Sequence, residues 1–325
     1  MGMVKTNLNI FSEFYVGIDI GRYKIDGVKI KHNGKRSDII GVHSVPYSSK
    51  VFDGDEIVNE DEIINGLVEI GKFLKIDIED FITTAIFSDK VLFRQLKMPK
   101  MRNKKQIIEA AKFQIVKELS ISSSNITVDV DLLGEGNGLS ISTFIVRNED
   151  IEKFKSFFVR SNLPVPDILD AGYFKFNYLL ESKINHGLSF FAFEDSMSTY
   201  LQIFRNGRFL SIDSVTGGSE ELRENNAVDA RVHYLQLSDD IQRIARILIS
   251  RYGLSNENIE NFVCISERDE YLNEWVESLK EMDLGKVNDY YDFVSLKREI
   301  PAGAYSMAIR GALENAKSKF LHKEA

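Results

Sequence analysis

The sequence has few of the residues that build cross-linked or metal-stabilised domains. A single cysteine, Cys264, excludes a disulfide framework and a cysteine-rich zinc site. The five histidines show no H-E-x-x-H spacing, which argues against a histidine metal site. Only five prolines occur in 325 residues, and no proline-rich or Ser/Gly-rich linker divides the chain. Any domains are therefore expected to be joined by structured elements.

Long apolar runs and excess basic charge are also missing. No run approaches the roughly 18–20 apolar residues that cross a bilayer. Residues 1–14 lack the apolar stretch of a signal peptide. Acidic residues outnumber basic ones by 49 to 41, which gives a net charge of −8 and argues against binding to nucleic acid or to an anionic membrane. The sequence predicts a cytoplasmic protein with no nucleic-acid partner.

The apolar patterning predicts two halves that open in the same way. The first half begins with three predicted strands in meander order, at 14–20, 25–31 and 39–47, and continues with a helix over 59–75. The second half begins with predicted strands at 188–194, 198–207 and 208–215, and its first long helix spans about 230–252. Repetition of one α/β pattern predicts a duplicated fold with a cleft between its halves.

A small separate unit is predicted within the first half, over about 99–148. It combines an amphipathic helix with two strands, at 104–119, 125–133 and 139–147. After it the pattern predicts a helix over 149–162, and a further helix over 174–182 that leads into the second half.

Four stretches carry a family resemblance: VGIDIGRYKIDGVKI (16–30), VFDGDEIVNEDEI (51–63), VLFRQLKMPKMRNKKQIIEAAKFQIVKEL (91–119) and PAGAYSMAIRGAL (301–313). They resemble the actin-like superfamily, and within it the PilM family of type IV pilus assembly proteins. The third stretch is the most specific. The resemblance covers about 15–315, and the cell-division relative FtsA shares the fold and the inserted subdomain.

The resemblance implies an α/β, actin-like (ribonuclease H-like) duplicated two-domain fold with a central cleft. Domain I would comprise residues 1–172 and 303–325, with an inserted subdomain at about 99–150, and domain II residues 173–302. The implied function is a scaffold of a type IV pilus or related secretion assembly at the inner-membrane face. Such a scaffold grips the cytoplasmic N-terminal peptide of a PilN-like membrane protein, in a groove between the first and inserted subdomains. Self-association is left open.

Five residues of the best-matching stretch are predicted to bind the partner. They are Met98, Pro99, Met101, Ile107 and Ala111. Methionine is flexible and suits peptide grooves. In the alternative interpretation, Met98 and Met101 only pack the inserted subdomain against domain I.

The resemblance also implies ATP and magnesium, held by three turns. Asp19 would hold magnesium through water, and Gly21 would form the first phosphate turn. Arg22 and Tyr23 replace the small residues expected next, and Asp26 stands where the family has lysine.

The other two turns depart from the family pattern. In the second, Thr199 is retained, while an ungapped alignment puts Phe193 at the acid position and Asp195 at the glycine position. A two-residue shift makes Asp195 the acid instead. In the third, Ser266 is kept and Glu267 and Arg268 replace both glycines, although Gly217 and Gly218 match a separate I-G-G motif.

Two of three nucleotide turns are therefore degenerate, and the sequence predicts weak or lost ATP binding with no catalytic residue. Asp167 and Asp170, at the end of a predicted strand, are interpreted as ordinary strand-end or capping acids. Two alternatives stay open: an active actin-like ATPase of the PilM or FtsA type, and an FtsA-like filament former linked to cell division.

Overall fold

The computed structural model describes residues 4–5, 13–34, 36–101, 103–135, 139–220, 222, 230–282 and 284–321. The prediction that residues 1–14 hold no signal peptide falls mostly outside this set. The chain divides into two compact units, Met1–Tyr178 with Glu299–Ala325, and Leu179–Arg298. We call them unit 1 and unit 2.

Unit 1 is built on a six-stranded sheet. Its strands are β1 (Val4–Lys5), β2 (Phe14–Ile20), β3 (Lys24–His32), β4 (Ser37–Pro46), β7 (Phe81–Ile86) and β11 (Ile168–Ala171), in the order β1-β11-β7-β2-β3-β4. Strands β2, β7 and β11 are parallel, whereas β2, β3 and β4 form an antiparallel meander. A separate small hairpin joins β5 (Phe52–Asp53) to β6 (Glu56–Ile57).

Helices cover both faces of this sheet. They are α1 (Glu60–Leu74), α3 (Asn148–Arg160) and α8 (Ala302–Leu321). On one face, a Cβ at Gly27 would lie 2.7 Å from Ile70 of α1; on the other, a Cβ at Gly17 would lie 1.8 Å from the Ala304 carbonyl oxygen of α8. Because Gly17 and Gly27 stand on adjacent strands one register step apart, their side-chain positions point to opposite faces. The glycines thus let α1 and α8 approach the sheet backbone closely.

A three-stranded antiparallel sheet with one helix forms the inserted subdomain of unit 1. Its elements are β8 (Leu92–Met98), α2 (Lys104–Leu119), β9 (Ile126–Glu135) and β10 (Leu139–Arg147), with strand order β8-β10-β9. The Asn103 side chain caps α2 by accepting a hydrogen bond from the Gln106 N–H. Ile107, Ala111 and Ile115 of α2 pack on the sheet as a core of the subdomain's own.

Unit 2 repeats the strand order of unit 1. Its strands are β12 (Leu188–Glu194), β13 (Ser198–Arg205), β14 (Arg208–Thr216), β15 (Ile259–Ser266) and β16 (Lys286–Asp289), in the order β14-β13-β12-β15-β16. This order, a meander followed by two parallel strands, matches β4-β3-β2-β7-β11 of unit 1. The remaining described helices are α4 (Asn177–Leu180), α5 (Ala230–Arg251), α6 (Leu272–Lys280) and α7 (Tyr290–Val294). The predicted duplication of an α/β pattern is confirmed.

One element prediction is wrong. In place of a helix over 174–182, the chain forms a 3₁₀ turn at Gly172–Phe174 and the four-residue helix α4. The side chains of residues 172–177 are all buried. Packing on every side therefore decides the backbone here, and no exposed helical face can form.

Candidate functional site

The first candidate phosphate turn connects β2 to β3 in unit 1, and its backbone is bonded within the unit. The Gly21 N–H donates to the Lys24 carbonyl oxygen at 3.0 Å, and the Tyr47 hydroxyl donates to the Gly21 carbonyl oxygen at 3.0 Å. The Tyr47 N–H donates to the Tyr23 carbonyl oxygen, also at 3.0 Å. The residues that follow β4 therefore hold the turn.

Arg22 fixes this turn to a neighbouring part of unit 1. Its guanidinium donates to the Gly54 carbonyl oxygen and lies 4.9 Å from the ring centre of Phe52. It also stands 3.6 Å from an Asp89 oxygen and 3.8 Å from an Asp55 oxygen. The buried Arg22 side chain thus joins the turn to the β5–β6 hairpin.

Asp19, the predicted magnesium ligand, already has a cation of the chain beside it. The Lys175 Nζ atom lies 3.0 Å from one Asp19 carboxylate oxygen and 3.1 Å from the other. The two side chains are only 12% and 6% exposed for Asp19 and Lys175. At the start of α8, a Cβ on Gly303 would come within 2.3 Å of the same carboxylate, so the helix terminus lies close to it.

Asp170 has a similar arrangement at the end of β11. Its carboxylate forms a buried ion pair with Arg310 of α8 and accepts a hydrogen bond from the Tyr178 hydroxyl at 3.1 Å. Burial lowers the pKa of Arg310 to about 9, which leaves the guanidinium charged at neutral pH. Asp167, by contrast, accepts the Ile82 N–H at 2.8 Å and holds β11 against β7.

The two paired acids stand at one level of the sheet. Ile18 of β2 and Leu169 of β11 both pair with Thr84 of β7, so the residues that follow, Asp19 and Asp170, are in register two strands apart. Asp170 contacts α8 directly, and α8 begins beside Asp19.

In unit 2 the corresponding turn connects β12 to β13. Asp195 folds its carboxylate back to accept the Met197 N–H at 2.8 Å, which is an Asx turn. In both hairpins the turn has four residues, because Ile20 pairs with Ile25 and Glu194 pairs with Thr199. Counted from the turn, Phe193 stands in unit 2 where Asp19 stands in unit 1. The hairpin register thus follows the ungapped alignment.

The glycine pair after β14 lies against this hairpin. Gly217 has a φ of 120°, and its carbonyl oxygen accepts a hydrogen bond from the Thr199 hydroxyl at 3.1 Å. A Cβ on Gly218 would lie 2.4 Å from the Asp195 carbonyl oxygen. The Ser219 N–H donates to that same oxygen at 3.1 Å. The glycines therefore bring the chain into contact with the turn backbone.

The third candidate turn follows β15. The Ser266 hydroxyl accepts the Arg268 N–H at 3.0 Å, and the Glu267 N–H donates to the Glu194 carbonyl oxygen at 3.0 Å. Neither Glu267 nor Arg268 has a left-handed φ, so the backbone here does not require glycine. The Arg268 guanidinium lies over the Tyr271 ring at 4.9 Å.

A buried acid in unit 2 was missed in the sequence. Glu194, fully buried at the end of β12, accepts a hydrogen bond from the Tyr234 hydroxyl at 3.1 Å. The His233 Nε2 atom lies 3.6 Å from its other oxygen. Burial, and then the nearby Glu194 charge, raise the pKa of Tyr234. An acid that ends a strand whose other residues, apart from Ser189, are apolar is the signal that could have pointed to this cluster.

The predicted partner-binding residues lie in the inserted subdomain. Met98, Ile107 and Ala111 are buried in its core, and Met101 is packed against that core. Pro99 is exposed.

A cavity of about 270 Å³ lies in unit 1 where the chain enters and leaves the inserted subdomain. The β5–β6 hairpin, the end of β7 and helix α3 line it, with an apolar part and charges of both signs. The lining residues are Asp55, Glu56, Ile57, Ile86, Phe87, Lys90, Asp150, Lys153, Phe154 and Phe157. The sequence did not indicate this cavity, because its walls come from three separate segments, 55–57, 86–90 and 150–157.

A chain of a PilM–PilN type IV pilus biogenesis complex superposes with a TM-score of 0.72 at 16% identity, over 92% of this chain and 98% of that chain. The fold is that of PilM. A Bacteroides thetaiotaomicron protein with an actin-like ATPase fold and unknown function gives a TM-score of 0.53 at 9% identity, over 94% and 98%. No family model matches the sequence, and no curated protein does.

The predicted actin-like fold and the likeness to PilM are therefore confirmed at the level of the fold. Among the described residues, no helix combines the length and the apolar character that crossing a membrane takes. The described part of the chain also holds no group of three or more histidine, cysteine, aspartate or glutamate residues arranged to bind a metal ion.

The residues at the candidate turns do not fit magnesium and ATP. In unit 1, Lys175 contacts both oxygens of the acid that would face the metal-bound water. In unit 2, an apolar side chain, Phe193, stands at the equivalent acid position. Asp195 uses its carboxylate within its own turn.

Proposed function

We propose that the protein is a PilM-like scaffold of a type IV pilus or a related secretion assembly. It binds the cytoplasmic N-terminal peptide of a PilN-like membrane protein and is held at the inner-membrane face through that partner. The observation that carries this proposal is the cavity at the base of the inserted subdomain, within a chain that has the PilM fold.

The lining of the cavity suits a short peptide. Ile57, Phe154 and Phe157 offer apolar surface for a side chain, and Lys90 and Asp150 offer charge of either sign at its edge. Five of the ten lining residues are apolar and five are charged, so the cavity can contact both apolar and charged groups of a peptide. The partially buried Asp150 carboxyl has a raised pKa, with burial as the main cause.

The predicted partner residues form a second proposed contact. Pro99 and Met101 lie on the segment between β8 and α2, and Met101 is only partly buried. Met98, Ile107 and Ala111 would act there by holding that segment in place, since their own side chains are inside the subdomain core.

The proposal includes a degenerate nucleotide site, so that recognition of the partner does not depend on Mg-ATP. Support comes from the pairing of Asp19 with Lys175 and from Phe193 at the matching position of the second hairpin. No residue is assigned a catalytic role.

Peptide binding tests the proposal. Fluorescein-labelled peptides that copy the cytoplasmic N-termini of the single-span membrane proteins encoded beside the gene are titrated by fluorescence anisotropy. We expect one of them to bind, and Ile57→Arg to weaken it at least tenfold by filling the cavity. The neighbouring Val58→Arg is the control, because Val58 is 57% exposed and does not line the cavity. Failure of every peptide to bind, or equal binding by both variants, would contradict the proposal.

A further inference from the structure

Unit 1 carries two acids at the carboxyl edge of its parallel strands, and each is neutralised by a cation of the same unit. Asp19 pairs with Lys175, and Asp170 pairs with Arg310. Parallel strands place their functional side chains at this edge, which is where ligands of open α/β sheets are held. Both pairs are almost completely buried, so their charges are neutralised inside the protein and only weakly by water.

The surroundings of Asp19 are positive on two sides, while Asp26, its cross-strand partner on β3, adds negative charge on a third. Lys175 contacts both carboxylate oxygens, and the first turn of α8 lies against the carboxylate at Gly303. The N-terminus of a helix carries partial positive charge, so α8 adds to the field of the ammonium group. A divalent cation brought to this carboxylate would be repelled by both.

Lys175 is held in place by more than its ion pair. The ammonium group lies 5.2 Å from the ring centre of Phe176, and the side chain is 6% exposed. The lysine follows directly on the 3₁₀ turn at Gly172–Phe174, whose Gly172 carbonyl oxygen accepts the Lys175 N–H at 3.2 Å. The backbone thus presents the ammonium group to Asp19 in a fixed position.

We propose that Lys175 takes the place of a divalent metal at Asp19. The ammonium group supplies the positive charge that a metal ion would otherwise bring, and it fixes the β2–β3 hairpin onto unit 1. The first candidate phosphate turn therefore needs no magnesium. The inference rests on the degenerate nucleotide site of the proposed function and does not depend on peptide binding.

A double-mutant cycle measures the coupling between the two residues. Asp19→Asn, Lys175→Met and the double variant are compared with the wild type by thermal unfolding. Each single change leaves the other charge buried without its partner, so both should lower Tm by several degrees. The fall in Tm of the double variant should be clearly smaller than the sum of the falls in the two single variants. Additive losses would overturn the proposal.

A different buried ion pair of unit 1, Lys29 with Asp80, provides the matched control. Lys29 Nζ lies 2.6 Å from Asp80, in the same unit, and shares no partner with Asp19. Lys29→Met should also lower Tm, but its effect should add to that of Asp19→Asn.

Magnesium response gives an independent readout that does not need the Lys175 variants. Melting curves are recorded in MgCl₂ and in NaCl of equal ionic strength, and the expected difference in Tm is none. A rise in Tm specific to magnesium, abolished in Asp19→Asn, would overturn the proposal even if the Lys175 variants do not fold. If instead no peptide binds, the proposed function fails while this inference stands.

Discussion

At the scale of single residues, close approach of backbone and buried charge explain most of the candidate site. Gly17 and Gly303 matter because α8 lies against β2, and no phosphate is needed to account for them. The sequence singled out Asp19, as the acid predicted to hold magnesium through water. It could not show Lys175 beside it, because the two residues are 156 positions apart and meet only in the folded unit.

Replacing Gly17 tests the contact between β2 and α8. In Gly17→Ala the new Cβ would lie 1.8 Å from the Ala304 carbonyl oxygen, so the helix must move. We expect a loss of about 3 kcal/mol or more in unfolding free energy, at the upper end for overpacked sites. Urea unfolding followed by circular dichroism measures it.

Gly41→Ala is the control for this prediction. Its Cβ would approach only a terminal methyl group of Leu74, at 2.9 Å, which can rotate away. We expect a loss of less than about 1.5 kcal/mol. Equal losses in the two variants would mean that α8 does not lie as close to β2 as described.

The carboxyl group of Asp26 should make the stability of the fold depend on pH. Burial is the main cause of the raised pKa of its carboxyl, against the opposing effect of Lys24, 3.0 Å away. Between the unfolded pKa of about 3.9 and the higher folded value, the folded state binds more protons, so stability falls as the pH rises. Asp26→Asn should remove this fall, so its stability relative to the wild type should rise as the pH increases from about 4.

Thermal melts at several pH values measure this effect. The Asn side chain can still accept the Ser44 hydroxyl, which donates to Asp26 at 2.5 Å in the wild type. The interpretation would be contradicted if the difference between wild type and variant did not change with pH.

At the scale of elements, local patterns predicted most of the strands and helices. The two strand meanders follow from alternating apolar residues and Gly-containing turns, and α1, α2 and α5 follow from the helical spacing of their apolar residues. In α1, acids in the first turn support the prediction. The short strands β5, β6 and β16 were not predicted, since two to four residues carry no period. The helix predicted over 174–182 does not form, and the cavity was not predicted. In both cases, residues far apart in the sequence determine the local structure.

Helix α2 gives a test of the inserted subdomain. Ile115 is fully buried in the subdomain core, whereas Phe113 on the same helix is 73% exposed. Ile115→Ala should cost about 2–5 kcal/mol, as a large-to-small change in a core does. Phe113→Ala should change the unfolding free energy by no more than about 0.5 kcal/mol.

Hydrogen exchange locates the effect of these two changes. Amides of α2, β9 and β10 should lose protection in Ile115→Ala and keep it in Phe113→Ala. Loss of protection in both variants would indicate that the exposed face of α2 is covered in solution.

At the scale of the whole molecule, each unit repeats one strand order, and the fold is that of PilM. The two hairpins that this repetition makes equivalent have diverged in opposite ways. One holds an acid paired with lysine, and the other holds a phenylalanine and an aspartate turned into its own loop. We proposed above that neither hairpin binds a metal ion and that the cavity in unit 1 takes the partner peptide.

We infer that this protein, with its actin-like fold, works without Mg-ATP. Calorimetric titration of the purified full chain with Mg-ATP tests it most directly, with a second titration of ATP in excess chelator. We expect no magnesium-dependent heat of binding up to millimolar nucleotide. Micromolar binding that requires magnesium and is lost in Asp19→Asn would contradict it.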